Sequence, residues 1–263
     1  MREYKKIITL SNNSRGVWSL DPSLGCYNGT LENEKGCYND CYAARTAKKY
    51  GYDFSKTVLR DFKNISHLES IKNKIKKIDM SFIRMGTNGD PSENWEHTIK
   101  IIELISKDKQ LSLFKEGKKQ IVIIAKHWNT LTEEQLKTIS KYNICINTSV
   151  SALDDKDQLH KCLNEYSRLK PYCKSILRIV SCDFNKENEK GLELSKLQER
   201  LFLNENVIDT VFRVFKNSEY VTSGLINIHQ TIFLGKKCYV SKYNKKTYFG
   251  KCSSCLEMCG EKL

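Results

Sequence analysis

Three cysteines, Cys26, Cys37 and Cys41, fall within sixteen residues, in the stretch Gly25-Cys26 to Gly36-Cys37-Tyr38-Asn39-Asp40-Cys41-Tyr42-Ala43. Thiols so closely spaced suit a metal centre better than an apolar core. Iron-sulfur clusters are normally held by four thiolates, so a loop that offers three leaves one iron open to a substrate or cofactor, much as a catalytic zinc keeps an open position. The same spacing also suits a structural zinc whose fourth thiol comes from elsewhere in the chain.

A second group closes the chain. Cys252, Cys255 and Cys259 follow a Cys-x2-Cys-x3-Cys pattern, and Cys238 would complete a set of four. Four thiolates make a closed, stabilising site, either zinc or an auxiliary [4Fe-4S] cluster, and both metals accept that donor set. If Cys238 stays out, the site has three ligands. Cys145, Cys162, Cys173 and Cys182 are spread along the chain and read as small buried hydrophobes. Eleven cysteines with neither a leader peptide nor an apolar run of membrane length imply a reducing, cytoplasmic setting. There, clustered cysteines bind metal more often than they form disulfides.

Positioning these groups requires a scaffold, and 263 residues suffice for one main core. Lys6–Leu10 reads as an opening strand, and Tyr42 to Tyr50 as a helix that places Cys41 at its N-terminus, where a thiolate is favoured. From Ser55 to Ile75 the apolar spacing predicts an amphipathic helix, interrupted near Asn64. A strand Met80–Met85 then leads into the turn-rich loop Gly86–Pro91, and Ser92 is expected to cap a helix bearing Trp95, Ile99, Ile102 and Ile105. The alternation continues with strands 120–125, 144–150, 176–182 and 208–215 and helices 132–142, 156–170 and 192–203. Repeated strand-helix alternation predicts an α/β fold with a parallel sheet and right-handed crossovers. Functional groups then belong at the C-terminal strand ends. Past residue 216 the pattern fades, and Tyr220 to Tyr248 holds one or two strands. The expected division is a main domain over 1–218 and a Cys-rich extension over 219–263.

Lys and Arg outnumber Asp and Glu by 44 to 31, a net charge of +13. Such an excess favours nucleic acid or another polyanion as partner, unless the dispersed lysine pairs simply coat solvated faces.

Trp18, then Gly25-Cys26, then Gly36-Cys37-Tyr38-Asn39-Asp40-Cys41-Tyr42-Ala43, set between a first strand and a helix, resembles the radical S-adenosylmethionine superfamily, in particular its small phage-associated branch. The spacing here is Cys-x10-Cys-x3-Cys, against the superfamily's commoner Cys-x3-Cys-x2-Cys. The resemblance spans roughly residues 15–215. It implies a partial (β/α)6 TIM-type barrel, a [4Fe-4S] cluster on Cys26, Cys37 and Cys41, and S-adenosylmethionine as cofactor. It further implies that Gly89 and Asp90 hold the methionyl amine, that Asn147 and Ser149 face the cofactor, and that Arg178 meets its carboxylate. Each has a plainer reading: Asp90 as a turn former, Arg178 as partner of a buried carboxylate, and His97, His127 and Trp95 as structural groups.

The function expected on this basis is reductive cleavage of S-adenosylmethionine followed by radical modification of a substrate, a nucleic acid base or an anionic peptide. A reductant protein such as flavodoxin or ferredoxin would supply the electron, and no membrane is involved. The rival from another class is a zinc-stabilised nucleic-acid-binding protein with both cysteine groups structural. A third is a cluster-bearing redox sensor that no longer cleaves the cofactor.

Overall fold

The computed structural model describes residues 2–13, 15–29, 37, 41–106, 119–214, 216–233, 236–241 and 254–263. Its framework is an α/β fold. Strands β1 (Leu10–Asn12) and β2 (Trp18–Leu20) form an antiparallel edge, and the short β3 (Ser23–Leu24) leads toward the first cysteine. Helix α1 (Tyr42–Lys49) begins directly after Cys41, as expected.

The helix predicted from Ser55 does not form over its first half. Val58–Leu59 is instead a strand, β4, paired antiparallel with β3, and α2 (Ile65–Lys76) starts only after Asn64, whose side chain accepts the His67 amide at 2.8 Å. That pairing joins Ser23 to Leu59, 36 positions apart, so local spacing carried no sign of it. The opening strand is also displaced: Ile7 makes only an isolated bridge to Asp61.

Next come β5 (Phe82–Met85), α3 (Trp95–Ser106), β6 (Gln120–Ala125), α4 (Glu133–Ile139), β7 (Ile144–Val150), α5 (Lys156–Leu169), β8 (Lys174–Ser181), β9 (Asp183–Phe184), α6 (Glu189–Leu201) and β10 (Val207–Val211). Ser92 does not cap α3. Asp90 caps a single 3-10 turn, Pro91–Glu93, and Asn94 accepts the His97 amide at 2.8 Å to start α3. Helix α4 ends at Ile139, three residues short of expectation, and opens with a reciprocal Thr132–Gln135 cap.

Seven strands form one sheet in the order β1-β2-β5-β6-β7-β8-β10, parallel from β2 to β10. The sheet is not closed into a ring. Period-two alternation sorts its residues. Ile83, Met85, Ile121, Ile123, Ile144 and Ile146 pack with α2, α3 and α4, while Val150, Leu177, Ile179 and Val207 pack with α5 and α6. The opposite face carries Phe82, Val122, Cys145, Ile176 and Ile208 at its lower end. These apolar side chains are covered by Met258, from the last residues of the chain.

Beyond β10 lie α7 (Glu219–Thr222) and the hairpin β11 (Ile226–Phe233) and β12 (Lys236–Ser241). Strand β11 also pairs antiparallel with β9, so that β12, β11 and β9 form a separate three-stranded sheet. Among the described residues no helix is long and apolar enough to cross a membrane.

Candidate metal and cofactor site

The first cysteine is set by two loops that cross. Gly25 pairs with Gly89 in a parallel bridge, its amide donating 2.9 Å to the Asn88 carbonyl, and the Cys26 amide donates 2.8 Å to Phe54. Gly25 sits at φ 75°, and a Cβ there would meet the Lys56 carbonyl oxygen at 2.2 Å, so only glycine fits on both counts. A Cβ on Gly89 would meet Ser23 and Gly25 carbonyl oxygens at 2.8 and 2.9 Å. The glycines therefore let the strand end at β5 and the thiol loop touch backbone to backbone.

Cys26, Cys37 and Cys41 line one cavity of about 500 Å³. None is in a disulfide. Burial pushes the Cys26 and Cys37 thiols well above the ordinary range, reinforced at Cys26 by the carboxylates of Asp90 and Glu93 and opposed at Cys37 by Lys126. Without a bound cation these sulfurs stay protonated, and a soft metal would supply the missing charge. Among the described residues no three His, Cys, Asp or Glu side chains stand close enough to clasp a single ion.

The wall opposite the thiols is built from the C-terminal strand ends: Gly86–Asp90 after β5, Ile124 and Ala125 on β6, Ser149 on β7, Arg178 and Val180 on β8, and Thr210 and Val211 on β10. Gly89, Asp90, Ser149 and Arg178 thus join the thiols around one space. Asp90 also keeps its plainer role. Its carboxylate accepts from the Ser92 amide and hydroxyl at 2.9 and 2.7 Å and from the Lys126 amide at 2.7 Å, while loss of solvation pushes it up to about 6. Arg178 lines the cavity and forms no ion pair with a carboxylate among the described residues.

Asn147 is not on this wall. It shares a sheet face with Ser149, but its Nδ2 donates 2.9 Å to the Cys259 carbonyl, and it is fully buried below the cavity. The segment around Cys259 occupies the place at Asn147 that the resemblance assigned to the cofactor.

Several groups in or beside the cavity were missed from sequence. Glu93 organises the thiol loop: Oε1 accepts from the Cys26 thiol at 3.1 Å and from the Asn28 amide and side chain at 3.2 and 2.9 Å, and Oε2 from Thr57 at 3.0 Å. Asp21, buried, accepts the Gly86 and Thr87 amides at 2.9 and 3.0 Å and so shapes the loop after β5. Arg15, Arg45, Arg84 and Arg213 line the cavity beside Arg178. Arg84 carried a signal, a charge inside an otherwise apolar strand.

The groups with plainer readings follow them. His97 Nε2 lies 2.9 Å from the Arg60 carbonyl, Trp95 donates to Asn129 at 2.8 Å, and His127 Nε2 lies 2.9 Å from Thr148 Oγ1, all inside the core. Cys145, Cys162 and Cys182 are buried and Cys173 partly so. In the C-terminal group, Cys255 and Cys259 are half-buried, Cys259 against the lower end of the sheet, whereas Cys252 and the Cys238 side chain lie outside the described residues.

Compared with protein-family models, curated proteins and solved structures, the chain has no match in any of the three.

Proposed function

We propose that the protein is a radical S-adenosylmethionine enzyme whose Cys26, Cys37 and Cys41 hold a [4Fe-4S] cluster at the mouth of a partial (β/α)6 barrel. One observation carries the reading: these three thiols and Gly89, Asp90, Ser149 and Arg178 line the same cavity at the C-terminal strand ends. The donor set fits the group, since three soft thiols leave one iron for a chelating ligand. A sheet with helices on one face and a cavity on the other is the layout of an incomplete barrel.

A cluster held by Cys26, Cys37 and Cys41 would supply the one electron for reductive cleavage of S-adenosylmethionine, giving methionine and the radical that would take hydrogen from substrate. The chain's own groups orient and protect that chemistry. Arg178 supplies a guanidinium for the methionyl carboxylate, and the carboxylate of Asp90 with the Gly89 backbone accepts from the methionyl ammonium. Ser149 offers a hydroxyl to the cofactor, and Trp128, Phe54 and Phe212 keep water from the wall. Asn147 has no part in this scheme. The electron comes from a cytoplasmic reductant such as flavodoxin or ferredoxin, and the C-terminal cysteines hold a second cluster or zinc.

Anaerobic purification tests the reading. Brown protein with iron and sulfide in excess of zinc, yielding 5′-deoxyadenosine with dithionite and S-adenosylmethionine, is expected, and Cys41→Ala should abolish that product. Colourless protein carrying zinc alone would instead establish the structural-zinc reading.

A further inference from the structure

Helix α1 runs out through Lys48-Lys49-Tyr50-Gly51-Tyr52. Gly51, at φ 77°, closes the last turn: its amide donates 3.0 Å to the Lys48 carbonyl and the Tyr52 amide 2.9 Å to that of Ala47. The chain reverses there and lies beside the N-terminal segment. The Arg2 amide donates 2.7 Å to the Gly51 carbonyl, Arg2 bridges Tyr52, and the Tyr4 and Tyr52 rings stack with centroids 4.7 Å apart. Two segments distant in sequence thus share one surface.

That surface is basic. Residues 2–6 and 42–56 hold seven Lys and Arg against two acids, Glu3 and Asp53, so these twenty residues supply five of the chain's net thirteen positive charges. Asp53 is already engaged, by the Ser55 hydroxyl at 2.6 Å and by Lys56 at 3.4 Å. Arg2, Lys5, Lys6, Lys48 and Lys49 are all exposed. Two lysines in a last turn are what the helix dipole favours, but Arg2, Lys5 and Lys6 lie on a non-helical segment where no dipole calls for them.

It is also aromatic. Tyr50 is 56% exposed, with Lys49 Nζ 5.9 Å from its ring centroid, and Tyr27, 59% exposed, lines an open pocket of about 720 Å³ with Lys6 and Lys56. An acidic protein would use the cations and leave the rings idle. In a duplex the bases already stack on one another. A single strand uses both sets of groups, its phosphates on the cations and its bases on the rings. At its other end α1 lines the cavity with Tyr42 and Arg45, so a strand held here lies beside the cavity mouth.

We infer that residues 2–6, the C-terminal end of α1 and Lys56 form a docking surface for single-stranded nucleic acid, with phosphates at Lys5, Lys6, Lys48 and Lys49 and a base on the Tyr50 ring. The surface lies outside the thiol cavity, and its binding of a strand does not depend on what that cavity holds.

The test uses the full chain, purified anaerobically, in fluorescence anisotropy titrations with labelled oligo-dT and oligo-U of about fifteen nucleotides. Either strand should bind, the tighter of the two identifying DNA or RNA as the source. Log affinity should fall with log salt at a slope of about −3, as four phosphate contacts require. The duplex of oligo-dT with oligo-dA, and polyglutamate, should compete at least about tenfold less well. Lys5→Gln, Lys6→Gln, Lys48→Gln and Lys49→Gln together should weaken binding about tenfold or more and flatten the slope. The same charge removed at the C-terminal ends of α2 and α4, by Lys74→Gln, Lys76→Gln, Lys77→Gln and Lys141→Gln, should cost less than about threefold. Tyr50→Leu, which keeps apolar bulk and loses the stacking ring, should cost about fivefold or more with the slope unchanged. All eight lysines and Tyr50 are exposed, so these variants should keep the parent's melting temperature. Failure of both strands to bind, equal competition by polyglutamate or the duplex, equal losses from the two lysine sets, or an unaffected Tyr50→Leu would overturn the inference.

Discussion

The side chain of Asn147, in the middle of β7, donates 2.9 Å to the carbonyl of Cys259, 112 positions later in the chain. This bond separates the sheet's open face into an upper cavity and a lower apolar floor. Met258 seals the floor among Phe82, Val122, Ile176 and Ile208, and Gly260, at φ 90°, passes so close that a Cβ would meet Ile176 Cγ1 at 2.7 Å. Asn147→Ala strands a buried carbonyl and should cost ~1–3 kcal/mol, and Met258→Ala should cost ~2–5 kcal/mol, in urea unfolding. Deleting residues 254–263 should raise the fluorescence of an apolar dye. Midpoints unchanged from the parent would contradict the seal.

Glu93 joins the Cys26 thiol to Asn28 and Thr57. Its negative charge is among the causes that keep Cys26 protonated. Glu93→Gln should therefore speed alkylation of Cys26 severalfold, read by peptide mass spectrometry. Glu93→Ala, which removes every one of these bonds, should also lower iron per chain. An alkylation rate equal to the parent's would count against this role.

Lys126 and Asp154 form a buried pair, their side chains 4% and 3% exposed. Lys126→Met leaves the carboxylate desolvated and alone, and should destabilise the fold by ~3–5 kcal/mol. Lys126→Met combined with Asp154→Leu should recover much of that loss, because no uncompensated charge remains. Denaturant midpoints of the two variants decide the matter, and equal losses would refute the explanation.

His127 is fully buried, and burial with the neighbouring Lys161 and Lys126 lowers it to about 3. The unfolded chain takes up a proton near pH 6.5 that the folded chain refuses until about pH 3. Stability is thus complete above pH 6.5 and declines below it, by roughly 1 kcal/mol per pH unit. Asp90, raised to about 6, acts in the opposite sense and gains stability as pH falls through that value. The comparison of parent with His127→Asn cancels the Asp90 contribution. Asn accepts the φ of 52° at this position, so the variant should show a flatter melting profile between pH 4 and 6.5. Parallel profiles would remove His127 as the cause.

Elements with a buried apolar period were legible from sequence. Gln120–Ala125 and Ile144–Val150 were placed residue for residue, the first around the apolar run Ile121–Ile124 that a parallel strand covered on both faces leaves. Segments decided by distant pairing were not. Val58–Leu59 joined β3 even though its spacing continued the helical pattern of α2. For the site, Ser149 and Arg178, named from the resemblance, both line the cavity. The resemblance gave Asn147 to the same space, but residues 258–260 lie beneath it and its side chain bonds to Cys259. Glu93 looked like an ordinary helix-start acid, and its link to Cys26 spans 67 positions.

The backbone contact of Gly25 with Gly89 gives the thiol loop and the loop after β5 a single shared position. Anything that stiffens residues 86–90 also settles Cys26, and by thermodynamic reciprocity whatever occupies the sulfurs raises affinity at the neighbouring loop by the same factor. The two halves of the cavity therefore mature together, whichever guest arrives first.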